Sequence, residues 1–370
     1  MVYAMLSIGV LGFIVWSHKM AFYFRKKIVR IFTVCWKDLI NLLVTFYSLN
    51  ANKYNQSAGN LYLGSSETKR ESNYDLFRIN YYSYFKESFS RDNDWLSWFV
   101  GFVEGDGSIY VSNGRCYFVI TQKDPLVLHE IKNSLNFGKI KYFYDKKGEY
   151  KYARFIIADN KSILLLYLLF NSNLVLPSKL ERLKKWNEVL NNARRLNFSH
   201  FLLLNNKIPE LILKLKLPSL SDGWLSGFTD AEGCFSIKIN FLRNNYYVQY
   251  LYILDQKYEK DILNYIGNLF FIGSTAKIRS GSYLKDNAMF RLTLFCKSLQ
   301  NNTGSKVINY FNNFQLKTSK SQSFKIWCNI IKLTSGVRIT PSLLIKVREL
   351  KKNMNKFEVK LDSKFKLDKS

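Results

Sequence analysis

Five cysteines, Cys35, Cys116, Cys234, Cys296 and Cys328, are scattered along 370 residues with no C-x-x-C spacing. That argues against a zinc site and against a disulfide framework. His18, His129 and His200 are the only histidines and stand isolated, which argues against a histidine-based metal nuclease. There is no G-x-x-x-x-G-K-[ST] loop to cradle phosphates and no Ser-His-Asp set. Acidic residues are scarce, 28 against 55 Lys and Arg, for a formal charge of +27. Such an excess points to a polyanionic partner, nucleic acid first among them. The chain is also rich in Lys, Asn, Ile, Phe and Tyr, the residues of AT-rich codons. Charge alone therefore does not establish nucleic-acid binding; a motif must.

The chain does contain a repeat. Trp95-Leu-Ser-Trp-Phe-Val-Gly-Phe-Val-Glu-Gly-Asp-Gly-Ser-Ile109 returns, altered, as Trp224-Leu-Ser-Gly-Phe-Thr-Asp-Ala-Glu-Gly-Cys-Phe-Ser-Ile237. Each copy is an apolar run that ends in acid-small-acid-Gly and passes into an alternating segment. Trp95, Leu96, Trp98, Phe99, Val100, Phe102 and Val103 leave no polar face on a helix, so the helix is expected to be buried all round. At roughly ten residues it is too short to span a bilayer. Gly101 and Gly105 share one helical face, as do Gly227 and Ala231, and small residues at that spacing let two helix backbones approach closely. Gly107 and Gly233 are expected to end the helices, placing Asp106 and Glu232 just past two adjacent C-termini. The negative end of a helix dipole disfavours a lone carboxylate. A bound divalent cation reverses that preference, so Asp106 and Glu232 read as metal ligands.

Phe99-Val-Gly-Phe-Val-Glu-Gly-Asp-Gly107 and Leu225-Ser-Gly-Phe-Thr-Asp-Ala-Glu-Gly233 resemble the nine-residue signature of the LAGLIDADG homing endonucleases. The remainder of each half repeats too. Tyr117-Phe-Val-Ile-Thr-Gln-Lys-Asp124 answers Tyr252-Ile-Leu-Asp-Gln-Lys257, so Gln122 and Gln256 hold equivalent places. Lys179 and Trp186 recur as Lys320 and Trp327 at the same spacing. The resemblance implies an α+β fold of two pseudo-symmetric αββαββα domains whose sheets form a DNA-binding saddle. It implies Mg²⁺-dependent phosphodiester hydrolysis, with Mn²⁺ able to substitute, on a long pseudo-palindromic double-stranded DNA site, by a monomer. Gln122 and Gln256 would order water, and Lys179 and Lys320 would stand near the scissile phosphates, with Lys317 the alternative to Lys320. Glu104 and Asp230 are expected to support the helix pair. Asn113, Arg115, Lys141, Tyr142, Lys238, Asn240, Arg243 and Arg279 are the candidate DNA contacts. The alternative that the family leaves open is an RNA maturase that assists splicing of its own group I intron, and the two activities can coexist in one chain.

Strands are expected over 108–111, 117–121, 139–144 and 151–158 in the first half, and over 234–241, 246–254, 276–280 and 289–295 in the second. One helix is expected between the strand pairs of each half and one after them. Residues 1–18 form an uncharged apolar run that looks like a transmembrane segment of cytochrome c oxidase subunit 1. We read it as an upstream exon fused in frame to an intron reading frame, which implies mitochondrial translation and membrane association before processing. Residues 19–90 read as a basic extension, helical over 19–48, with a polar linker from Asn50 to Asp94. The two domains are expected over 91–212 and 213–336. A basic tail follows over 337–370, helical from Leu343 to Met354, either packed on the core or touching nucleic acid.

Overall fold

The computed structural model describes residues 73–192, 201, 207–279, 289–296 and 302–354. The exon-like segment, the helices expected over 19–48 and much of the linker lie outside the described residues. The linker reading needs correction at its end. Helix α1 (Asp75–Phe85) buries Phe77 and Tyr81 against Phe89, with ring centroids 5.1 Å apart in each pair. Tyr74 adds a hydrogen bond to Ser97, 3.0 Å. The polar composition of this stretch hides an aromatic face, and the first domain extends back to at least residue 73.

Helix α2 (Asn93–Asp106) starts at Asp92, whose side chain accepts from the Trp95 amide, 2.8 Å. Every residue from Trp95 to Glu104 is buried, as a run without a polar face requires. Strands β1 (Gly107–Ser112) and β2 (Arg115–Gln122) follow, then helix α3 (Leu126–Leu135), β3 (Lys139–Tyr144) and β4 (Tyr150–Ile157). Asn113 and Gly114 join β1 to β2 with positive φ at both positions, the backbone of a two-residue hairpin turn. The half closes with two helices, α4 (Asn160–Phe170) and α5 (Pro177–Asn192), where the sequence suggested one. The first stops at the Asn171 cap, ahead of Ser172 at φ 71°, and Pro177 opens the second, where its missing N–H costs nothing.

The second half repeats the order: α6 (Trp224–Glu232), β5 (Gly233–Leu242), β6 (Asn245–Lys257), α7 (Lys260–Phe270), β7 (Lys277–Ile278), β8 (Met289–Cys296), α8 (Asn302–Asn313) and α9 (Lys320–Thr334). Each sheet is antiparallel, ordered β1-β2-β4-β3 and β5-β6-β8-β7. Alternation decides the faces. Phe118, Ile120, Phe155 and Ile157 in one sheet, and Phe235, Ile237, Tyr252 and Leu254 in the other, are buried; the residues between them form an open face. Helix α10 (Pro341–Asn353) buries Leu344 and Val347, so the described part of the tail packs on the core. Among the described residues no helix is long and apolar enough to cross a membrane.

The two halves meet where α2 and α6 touch backbone to backbone. A Cβ on Gly101 would lie 2.0 Å from the Trp224 carbonyl oxygen, and one on Gly227 would lie 1.8 Å from that of Trp98. Lower on the pair, a Cβ on Gly105 would meet the Ala231 Cβ at 2.2 Å. Glycine ends both helices, but not in the left-handed conformation common at helix exits. Gly107 and Gly233 are extended, φ −79° and −88°. Glycine is needed there for space, because a Cβ would strike Val103 or Thr229 at 2.7 and 2.4 Å. Asp106 and Glu232 are accordingly the last residues of their helices.

Main chain cannot rotate away as a side chain can. Gly227→Ala is therefore expected to destabilise the fold by on the order of 3 kcal/mol, read as a drop in the urea or thermal unfolding midpoint. A midpoint equal to wild type would show that the helices are not in backbone contact.

Candidate active site

The carboxylates of Asp106 and Glu232 stand at the ends of two touching helices. The ideal Cβ position on Gly105 is 3.1 Å from the Glu232 Cγ, so any larger residue there would push the second acid away. Gln122 Nε2 donates to Asp106 Oδ2, 2.6 Å. Gln256 occupies the same register place, since Gly107 faces Ile120 and Gly233 faces Leu254. No hydrogen bond joins Gln256 to Glu232 among the described residues.

Two lysines reach the same place from α5 and α9. Lys179 Nζ donates to the Gly107 carbonyl, 2.5 Å, and Lys320 Nζ to the carbonyls of Ala231, 2.7 Å, and Thr229, 3.2 Å. The carbonyls at the ends of α2 and α6 thus hold a cation each, as their partial negative charge favours. The tryptophan that follows each lysine fixes its helix. The Trp186 indole donates to the Tyr110 carbonyl, 3.0 Å, and the Trp327 indole to that of Ser236, 3.2 Å. Lys317 is committed elsewhere, 3.6 Å from Glu130 and over the Trp98 ring, which leaves Lys320 as the lysine at the acids.

The inner acids, Glu104 and Asp230, do not face this centre. Glu104 accepts from the amides of Val175, 2.8 Å, and Leu176, 2.7 Å, and from the Trp224 indole across the seam, 2.6 Å. Asp230 accepts from the Trp98 indole, 2.8 Å, and from the Lys317 and Thr318 amides. Buried carboxylates this well supplied with donors are fixed supports. The crossed indole bonds went unread in the sequence, although aligning the repeats on Gly101 and Gly227 sets Trp98 over Trp224.

Burial shapes the charges. It raises the Asp106 carboxyl, opposed by the Gln122 hydrogen bond and by Lys320 and Lys179. Burial, then repulsion from Asp106, pushes Glu232 up to about 7. Burial lowers Lys179 to about 8 against the pull of Glu104, Asp106 and Glu232, and lowers Lys320 as well. Two like charges and two opposite ones in one dry place make a concentration of perturbed groups typical of functional sites.

The donor set fits a hard divalent cation. Asp106 and Glu232 offer carboxylate oxygen only, and no group of three or more His, Cys, Asp or Glu gathers as a metal site among the described residues. One or two carboxylates, completed by water and phosphate oxygen, is the usual way a protein holds Mg²⁺.

The nucleic-acid contacts proposed from the sequence divide. Lys141, Lys238 and Asn240 lie on the open faces, and the Asn240 Nδ2 is buried without an acceptor. Asn113 and Arg243 occupy the hairpin turns at φ 48°, with Arg115 beside the first. Arg279 is 3.5 Å from Asp255. Tyr142 is a correction: it pairs with the buried Ala153 and its hydroxyl bonds His129 of α3, 2.6 Å, on the helix side of the sheet. Asp255, an acid on a basic face, was missed; it stands opposite Thr121 when the repeats are aligned.

Acid-tipped helices packed between two such sheets define a class. The family model for LAGLIDADG endonuclease matches residues 99–190 and 225–331, and the chain belongs to that family. A probable intron-encoded endonuclease of Neurospora crassa is 30% identical over 277 residues, 73% of this chain and 46% of that protein. This chain thus spans under half the length of that relative. An uncharacterised cox1 intron-2 protein of Schizosaccharomyces pombe is 28% identical over 278 residues, 73% of this chain and 76% of that one. The LAGLIDADG meganuclease I-AabMI, solved bound to uncleaved DNA, shares the fold with a TM-score of 0.52 at 20% identity, over 70% of this chain and 99% of its own.

The site predicts a pH dependence. The folded Glu232 carboxyl holds its proton more tightly than an unfolded one with a pKa of 4.5. Its contribution to stability is therefore intact below about 4.5 and lost as pH rises through about 7. In metal-free buffer the wild type should lose melting temperature across that window. Glu232→Gln should flatten the loss and melt several degrees higher above it. Parallel curves for the two proteins would contradict the burial of this charge.

Proposed function

We propose that this chain is a metal-dependent, site-specific double-strand DNA endonuclease encoded in a mitochondrial intron and promoting intron homing. The observation that carries the reading is the pair of carboxylates, Asp106 and Glu232, at the ends of two helices in backbone contact, with Gln122, Lys179 and Lys320 around them. The intron-encoded relatives support the genetic setting. The cox1 intron relative agrees with the exon-like residues 1–18. Both halves sit in one chain, so a monomer suffices, and their unequal residues suit a long, imperfectly palindromic target.

Asp106 and Glu232 would hold Mg²⁺ or Mn²⁺, which when bound lowers the pKa of water and stabilises a leaving alkoxide. The chain's own residues supply the rest. Gln122 holds the Asp106 carboxylate in one orientation and presents its amide to a water beside it. Lys179 and Lys320, fixed by backbone carbonyls and stripped of solvent, offer positive charge where a phosphate gains it in the transition state, and a preorganised cation in a dry site needs no reorganisation. The open faces, with Lys141, Lys238, Asn240 and the turn residues Asn113 and Arg243, would follow the major groove and its base edges.

The test uses the full chain and DNA spanning the joined exons. Cutting of both strands is expected only with Mg²⁺ or Mn²⁺. Asp106→Asn and Glu232→Gln should each lower the rate by at least about a hundredfold while binding persists; removal of one electrostatic group from other active sites costs that much. Cutting by both variants at the wild-type rate would refute the metal assignment. Junction DNA left intact, with intron RNA bound and spliced faster, would put the maturase reading in its place.

A further inference from the structure

The open faces of the two sheets are not electrostatically alike, and one row across them brings an acid into only one of the two. Strand register sets Thr121, Arg154 and Lys141 in one row across β2, β4 and β3. It sets Asp255, Arg291 and Lys277 in the equivalent row across β6, β8 and β7. In the second row Arg291 Nε and Nη2 donate to the two oxygens of Asp255, 2.7 and 2.6 Å, and Arg279 Nη1 approaches to 3.5 Å. The Asp255 side chain is 17% exposed, and those of Arg291 and Arg279 are 37% and 47% exposed. In the first row Thr121 brings no charge. Arg154 lies over the rings of Phe143 and Tyr152, 4.9 and 5.1 Å from their centroids. Its Nε is buried without a hydrogen-bond partner, and no carboxylate pairs with it among the described residues.

We propose that Asp255 is a specificity-determining positioning residue and that the two domains grip duplex DNA by different chemistry; the inference rests on the DNA reading above. Arg154 rests on aromatic rings with no carboxylate to neutralise it, so it gains most from a phosphate, with release of a counterion. Arg291 is already neutralised, and a phosphate would have to compete with a carboxylate held in two hydrogen bonds. Its remaining donors, on Nη1 and the outer side of Nη2, are locked in one plane. A guanidinium so fixed is suited to the two acceptors on the major-groove edge of guanine, the pairing that arginine makes best. The first domain therefore contributes charge at this row, and the second contributes direction.

Equilibrium binding of the full chain to a random-sequence duplex, measured against salt, separates the two. Thr121→Asp gives Arg154 a partner and should make the slope of log affinity against log salt shallower by about one. Asp255→Thr and Asp255→Asn free Arg291 and should steepen it by about one. Selection from a randomised duplex pool should then show a guanine preference of roughly tenfold at one position of one half-site. That preference should be flattened by Asp255→Thr and by Arg291→Lys and kept by Thr121→Asp. A structural role for Asp255 would instead weaken every position alike and leave the slopes unmoved, and that result overturns the inference while duplex binding stands. Failure of the wild type to bind any duplex overturns the DNA reading and the inference with it. Thr121 lies on the open face and is exposed, so its variant carries the test if the Asp255 variants fail to fold.

Discussion

The contact on which the molecule depends is that of one helix backbone on another. The carbonyls of Trp98 and Trp224 sit where side chains on Gly227 and Gly101 would have to be. This closeness joins the two domains and also sets the chemistry. Glu232 and Asp106 repel each other because the small residues Gly105 and Ala231 leave nothing between their helices. Separation by a single larger side chain would relax the charges and dissolve the site. The crossed indole bonds, Trp98 to Asp230 and Trp224 to Glu104, hold the seam on both sides of the pseudo-twofold relation.

The charges at the seam form a graded set. Glu104 and Asp230 are enclosed and saturated with donors, so they are fixed in place. Asp106 and Glu232, two residues further on, keep an open side. Lys179 and Lys320 are close enough to ease the repulsion without quenching it, because their ammonium groups donate to backbone carbonyls and not to the acids. What remains is an under-compensated pair of carboxylates at the negative ends of two helices, a place where a divalent cation gains from both acids and from both helix ends. The open sheet faces carry the opposite sign and would guide a polyanion toward it.

Much of this was legible in the sequence because duplication doubles each signal. The small residues, the tip acids, the glutamines and the lysine-tryptophan pairs were visible as matched positions, and the strands of both sheets fell close to where alternation placed them. The misses have physical causes. Lys141 and Tyr142 are both DNA-contact candidates by residue type, yet adjacent strand residues point to opposite faces, and Tyr142 belongs to the His129 side. Helix α1 was hidden because Phe77 and Tyr81 lie within a polar stretch whose composition resembles a linker. Gly107 and Gly233 read as helix ends, and only the packing of Val103 and Thr229 reveals that space is the constraint that demands glycine there. Asp255 could not be weighed until register showed which arginines it faces.

The central claim is that the helix seam creates one cation-binding centre from two carboxylates that neither domain could assemble alone. Anomalous diffraction from crystals of the full chain with duplex DNA and Mn²⁺ tests it most directly. The account predicts manganese peaks in contact with the carboxylates of Asp106 and Glu232. Manganese bound elsewhere, with these two acids unoccupied, would contradict it.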